Sequence, residues 1–107
     1  MGVQHDIDLG AERMIAAEKG QEKIAVEIKT IAGASFVYEF HEALGQYLNY
    51  EIGLEAKEPD RELFLAVSDA VYLKYFDIPA IRMAVEKFHL RILTFDPELE
   101  IIVQWIK

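Results

Sequence analysis

Glu27 and Lys29 stand two residues apart in the run Val26-Glu27-Ile28-Lys29-Thr30, where apolar and polar residues alternate. A period of two is the mark of a strand, and it puts both charged residues on one face, about 7 Å apart. The preceding segment carries two more carboxylates at matching parity. From Ile7 to Ala17, the residues Ile7, Leu9, Ala11, Arg13 and Ile15 alternate against Asp8, Gly10, Glu12 and Met14, which predicts another strand. Glu18-Lys19-Gly20-Gln21-Glu22-Lys23 between them has turn composition, with Gly20 free to take positive φ. A two-residue turn at Gly20-Gln21 pairs Lys19 with Glu22, sets Glu27 opposite Met14 and sets Lys29 opposite Glu12. Residues directly opposite one another point to the same side. The expectation is therefore that Asp8, Glu12, Glu27 and Lys29 share a face, unless a bulge near Gly10 shifts the register.

Such a set has a definite chemical use. Two or three carboxylates converging on one spot bind Mg²⁺ or Mn²⁺ through oxygen. The metal polarises a phosphodiester and lowers the pKa of a bound water, while a neighbouring lysine orients that water or stabilises the developing charge. Asp8, Glu12 and Glu27 are the candidate metal ligands. The plain alternative is a solvated strand face, since surface ion pairs worth about 0–1 kcal/mol persist without any function.

The elements that would position this set follow along the chain. Ile24 to Thr30 is the second strand of the hairpin. Gly33 precedes Ser35, a candidate N-cap. From Phe36 to about Ala56, Phe40, Leu44, Tyr47, Leu48 and Leu54 recur at helical spacing among glutamates, predicting a long amphipathic helix that Glu58-Pro59-Asp60 ends. Leu63-Phe64-Leu65-Ala66-Val67 is a continuous apolar run, as expected of a strand buried on both faces. Strand, helix and buried strand form a crossover unit, so those strands should pair in parallel. Val71 to Phe76 is a helical turn or short helix. Asp77 is a candidate cap for a helix with Pro79 in its first turn, reaching about Phe88. Leu90 to Phe95 and Ile101 to Ile106 are strands joined across Asp96-Pro97-Glu98, which has turn chemistry. The predicted order is β-β-α-β-α-β-β, a mixed sheet flanked by helices.

A chain of 107 residues with 52% hydrophobic residues is one domain able to bury its own core. The absence of cysteine excludes a disulfide scaffold and a thiolate metal site. No apolar run is long enough for a membrane span and no secretory leader is present, so a cytoplasmic protein is expected. Nineteen acidic against eleven basic residues give a net charge of −8, which argues against a free-standing DNA binder. A divalent cation would offset carboxylates locally, and a basic partner protein would supply phosphate contacts. His5, His41 and His89 lack zinc-site spacing, Ser35 and Ser68 lack a nucleophile-elbow pattern, and no phosphate-binding glycine loop appears. The tyrosines are core residues by type, with Tyr72 and Tyr75 the candidates for an exposed interface pair.

Several runs together resemble the XisH family. Ile7-Asp8-Leu9-Gly10-Ala11-Glu12-Arg13-Met14-Ile15-Ala16-Ala17-Glu18-Lys19-Gly20 followed by Lys23-Ile24-Ala25-Val26-Glu27-Ile28-Lys29 is similar to the family's signature hairpin. Phe40-His41-Glu42-Ala43-Leu44-Gly45-Gln46-Tyr47-Leu48-Asn49-Tyr50 is similar to its helix, and Glu58-Pro59-Asp60-Arg61 and Ile102-Val103-Gln104-Trp105 also match its pattern. The resemblance covers nearly the whole chain. It implies a restriction-endonuclease-like, PD-(D/E)XK nuclease fold and a role in controlling excision of the fdxN DNA element, beside an XisI-like partner and a site-specific recombinase. It makes Asp8 the motif aspartate, with Glu12 its nearby alternative, and Glu27 and Lys29 the E-x-K. Gln46 and Tyr50 are similar to the Q-x-x-x-Y element of RecB-like nucleases, whose polar side chains face the site and DNA. The family's helix ahead of the hairpin has no counterpart in Met1 to Asp6, which points to a shortened single domain over residues 1–107. The resemblance leaves three functions in competition: a controlling factor acting through a partner, an active Mg²⁺-dependent endonuclease, and an interaction module with no DNA role. Homo-oligomerisation is open as well.

Overall fold

Residues 63–67 form the middle of a strand buried on both faces, as their unbroken apolar run requires, and the rest of the chain is arranged around it. The computed structural model describes the backbone of residues 5–9, 12–19 and 22–28, and residues 36–107 in full. The elements are β1 (His5–Leu9), β2 (Glu12–Lys19), β3 (Glu22–Ile28), α1 (Phe36–Lys57), β4 (Arg61–Ser68), α2 (Asp69–Tyr75), α3 (Pro79–Lys87), β5 (Ile92–Asp96) and β6 (Ile101–Ile106). The strands form one sheet in the order β1-β2-β3-β4-β5-β6. β3 and β4 pair in parallel, as do β4 and β5, and the other neighbours are antiparallel. The architecture is a mixed α/β sheet with helices, and the expected parallel crossover from β3 through α1 to β4 is present.

The expected single strand from Ile7 to Ala17 is two strands. β1 and β2 are antiparallel, with Leu9 paired to Glu12, so the chain reverses between those residues. The reversal escapes a pattern search because the alternation runs through it unbroken. β5 begins two residues later than Leu90, and its partner strand β6 has the predicted bounds. Ser35, Gly20, Gly33 and Lys29 lie outside the described residues.

The two faces of the central strands feed two clusters. Leu63, Leu65, Val67 and Ile92 pack with the α1 residues Phe36, Phe40, Ala43, Tyr47, Tyr50 and Leu54, together with Phe76, Ile81 and Leu90. The α1 positions step by four and three, the stripe that a 3.6-residue period lays along one side of a helix. On the other face Phe64, Ala66 and Leu93 form a smaller cluster with Phe95, Ile102 and Trp105, the Trp105 ring standing edge-on to Phe64 at 5.0 Å.

Tyr72 and Tyr75 are not the exposed pair the sequence suggested. Tyr75 stacks on Phe36 at 4.2 Å, Tyr72 stacks on Phe76 at 5.3 Å, and both pack on the main core. Ser68 caps α2, its hydroxyl accepting from the Val71 N–H at 3.2 Å. Asp77 does not cap α3: Ile78 occupies that position without a side-chain bond, and Asp77 instead lies 3.8 Å from Arg82. The turn after β5 has the expected chemistry, with Asp96 Oδ1 accepting from the N–H groups of Glu98 and Leu99. No helix among the described residues is long and apolar enough to cross a membrane.

Candidate functional site

Parallel strands in α/β sheets present ligand sites at their C-terminal ends, where helices begin and side chains converge. In this chain that rim holds the end of β3, with Glu27, and the end of β4, with Ser68. Register fixes where each candidate position falls. β2 and β3 pair from Lys19 with Glu22 to Ile15 with Val26, the alignment that a two-residue turn predicts. Continued in the same register, it brings position 27 level with Met14 and position 29 level with Glu12. On the other side Glu27 pairs with Leu65, whose side chain is buried against α1. Partners in a parallel pair share a face, so position 27 lies on the face that carries α1.

Asp8 is placed differently from the expectation. It pairs with Arg13, while Leu9 pairs with Glu12. Alternation along β2 assigns positions 12 and 14 to one face and 13 and 15 to the other. Glu12 and Glu27 thus hold register positions of the same parity, and position 8 goes with 13 and 15. The common face predicted for all of Asp8, Glu12 and Glu27 rested on one unbroken strand, and the reversal after Leu9 moves Asp8 out of that set. Gly10, the first of the two residues linking these strands, is the signal that marks the hairpin.

α1 lies across this face and descends from the C-terminal rim of β3 toward the start of β4. Gln46 is half-buried, and its carbonyl oxygen is shielded from solvent with no partner among the described residues. Helical side chains lean toward the N-terminus of their helix, here toward the rim. Tyr50 lies one turn further from the rim, about 6 Å along the axis, and is buried in the main core.

Tyr47, between them, is the polar centre that periodicity alone missed. Its hydroxyl donates to the Leu63 carbonyl at 3.2 Å and accepts from the Arg91 N–H at 3.2 Å, tying α1 to the starts of β4 and β5. Burial pushes its pKa above the ordinary tyrosine value, against the lowering effect of the Arg91 N–H. Around it the Arg91 guanidinium lies 3.6 Å from Glu51 and 3.6 Å from Glu62, and Lys107 Nζ is 2.8 Å from Glu62. A cavity of about 430 Å³ opens beside these groups, lined by Glu62, Glu86, His89, Arg91 and Lys107 among others. It sits at the N-terminal rim, opposite Glu27, and its cations already face carboxylates. These ion pairs join the strand starts, so the cavity is the weaker candidate. Among the described residues no three histidine, aspartate or glutamate side chains gather as metal ligands.

The family model for XisH protein matches residues 1–103. The chain belongs to the XisH family. Two solved structures are similar to it over most of both chains. One is a fdxN element excision controlling factor protein from Anabaena variabilis, 39% identical, with a TM-score of 0.85 over 96% of this chain and 82% of that one. The other is an XisH family protein from Nostoc punctiforme PCC 73102, 38% identical, with a TM-score of 0.84 over 96% of this chain and 83% of that one. No curated protein matches this XisH-family chain.

Proposed function

We propose that this XisH-family chain is a controlling factor for site-specific excision of a DNA element, built on a PD-(D/E)XK nuclease-like core and working with an XisI-like protein. The observation that carries the reading is the β2–β3 register, which gives Glu12 and Glu27 the same parity on the face crossed by α1. An antiparallel hairpin, a crossover helix and a parallel strand are the parts such a core requires. Two carboxylates, with Lys29 two residues beyond Glu27, suit a hard divalent cation bound through oxygen, and Mg²⁺ or Mn²⁺ fits this donor set. Bound there, the cation would polarise a phosphodiester and acidify a water. Lys29 would orient that water, and Gln46, whose shielded carbonyl oxygen has no partner among the described residues, lies on the helix that crosses the same face. Asp8, the motif aspartate of the resemblance, holds a register position of the opposite parity and is left out of this donor set.

A net charge of −8 favours action through a partner over unaided DNA cutting. The test has two arms. Titration with Mn²⁺ should show one binding event that Glu27→Gln abolishes, and loss of no affinity in that variant would remove the metal site. DNA cleavage is then assayed with Mg²⁺ or Mn²⁺, with and without the XisI-like protein. Cutting by the chain alone that Glu27→Ala eliminates would establish the endonuclease instead. Absence of any DNA affinity even with the partner would leave an interaction module.

A further inference from the structure

The rotational phase of α1 decides which of its residues overlook β3. Tyr47 points at the sheet: its hydroxyl bonds the Leu63 carbonyl in β4 and the Arg91 N–H just before β5. Glu51, about 40° further round the helix, lies 3.6 Å from the Arg91 guanidinium, so that flank of α1 faces β5. The opposite flank faces β3, the neighbour of β4 on the other side. It carries Glu39 and Gln46, about 80° and 100° from Tyr47 in the reverse sense. Both are half-buried, whereas Val37 and Tyr38 beside Glu39 are exposed. The Gln46 carbonyl oxygen, shielded and without a partner among the described residues, marks this flank as one that calls for a polar group opposite it.

Height along the sheet follows from the same anchor. The Tyr47 hydroxyl is level with Leu63, and Leu65, the partner of Glu27, lies about 7 Å nearer the C-terminal rim. Glu39 precedes Tyr47 by eight residues, about 12 Å in the same direction. That sets it roughly 5 Å beyond the level of Glu27, a span that a glutamate side chain covers. The direction is fixed independently by the Phe36 ring at the start of α1. It stacks on Tyr75 of α2 at 4.2 Å, and α2 follows directly on the end of β4. Glu12 on β2 is level with position 29 in the continued register. Three carboxylate-bearing positions, on β2, β3 and α1, thus bound one part of the helix-side face.

We propose that Glu39 is a third carboxylate of the divalent-cation site, held over β3 by the crossing helix α1. The inference rests on the cation site of Glu12 and Glu27 and adds to it a donor from a different element. Two carboxylates leave most of the coordination of a hard divalent ion to water, and a third ligand charge raises the affinity. It also couples the ion to the docking of α1 on the sheet, because the donor set then spans both. A glutamate in the first turn of a helix suits the helix dipole as well. That purely structural role has a different signature: lost stability with the cation affinity kept.

Calorimetric titration with Mn²⁺, and urea unfolding with and without the ion, read the two roles separately. Glu39→Gln should weaken Mn²⁺ binding about tenfold or more. Glu42→Gln is the control: it removes the same charge three residues on, from an exposed position about 140° from Tyr47 and so turned away from the sheet. It should change the affinity less than about twofold, as a screened surface charge does. Mn²⁺ should also raise the unfolding midpoint of the parent and of Glu42→Gln more than that of Glu39→Gln. Equal effects of the two substitutions overturn the proposal, as does a Glu39→Gln chain that is less stable without the ion yet binds it as the parent does. Glu27→Gln tells this failure from that of the underlying site. If it abolishes binding while Glu39→Gln does nothing, the third donor alone is lost. A parent that binds no Mn²⁺, or a Glu27→Gln chain that binds as the parent does, removes the site and the proposal together.

Discussion

Replacing Tyr47 by phenylalanine tests whether its hydroxyl holds the two halves of the sheet to α1. The substitution removes one oxygen and keeps the ring in place, so packing is nearly unchanged. The Leu63 carbonyl loses a donor and the Arg91 N–H loses an acceptor, each at 3.2 Å, beside a ring with no exposed surface. Two such bonds contribute about 1 kcal/mol each, and an orphaned buried group costs about 1–3 kcal/mol. Arg91 is only half-buried, so water recovers part of the loss. A net cost of about 2 kcal/mol corresponds to a fall in Tm of roughly 10 °C for a domain of this size. Thermal and urea unfolding measure it, and a fall below about 2 °C would refute the reasoning. A pH arm gives the sign independently. The folded-state pKa of Tyr47 is raised, so its stabilising contribution is whole below the unfolded value near 10 and is lost as pH rises beyond it. The stability difference between the parent and Tyr47→Phe should therefore narrow above about pH 10. A constant gap would contradict the assigned burial.

Other outcomes follow from single contacts. Phe40→Ala empties the centre of the α1 stripe and should cost about 3–5 kcal/mol by urea unfolding. Thr94→Val removes a fully buried hydroxyl that has no partner among the described residues, and should raise Tm by about 4–8 °C. Ser68→Ala deletes the α2 cap and should cost about 1 kcal/mol, rescued by Ser68→Asp. Because of their register, Glu12→Ala should abolish Mn²⁺ binding in a titration while Asp8→Ala leaves most of it; the reverse ranking would mean that the reversal after Leu9 is misassigned.

Much of this architecture was legible because local chemistry and tertiary role agree. The apolar run at 63–67 had to be a doubly covered strand, and the helix before it had to bridge parallel neighbours. The register expected for β2 and β3, with Lys19 opposite Glu22, is the one observed. The reversal between β1 and β2 was hidden because the alternation of apolar residues in the sequence runs on past Leu9, while the pairing of Leu9 with Glu12 inverts the face of everything upstream. That single ambiguity moves Asp8 relative to Glu12. Tyr47 was hidden for another reason: its helical spacing is that of a core residue, and its partners lie 16 and 44 residues away. Val103 is an extra residue in β6, since Ile102 pairs with Phe95 and Gln104 with Thr94; it leaves no mark in composition, and only the pairing with β5 exposes it.

The distribution of charge bears on how an XisH-family chain of this kind would meet DNA. Arg61 lies 3.1 Å from Glu58, Arg82 lies 3.8 Å from Asp77, and Arg91 lies between Glu51 and Glu62. Each of these guanidinium groups already faces a carboxylate, so none is presented as an unopposed phosphate contact. A cation held by Glu12 and Glu27 would neutralise those two groups and contribute to one phosphate, not to a tract of them. DNA binding by the chain alone should then release few counterions, and the logarithm of affinity should fall with the logarithm of salt at a slope no steeper than about −2. Adding a basic partner should steepen that slope as more phosphates are neutralised. Fluorescence anisotropy across a salt series measures both. A steep slope for the isolated chain would mean that a basic surface exists outside these ion pairs, and the dependence on a partner would be withdrawn.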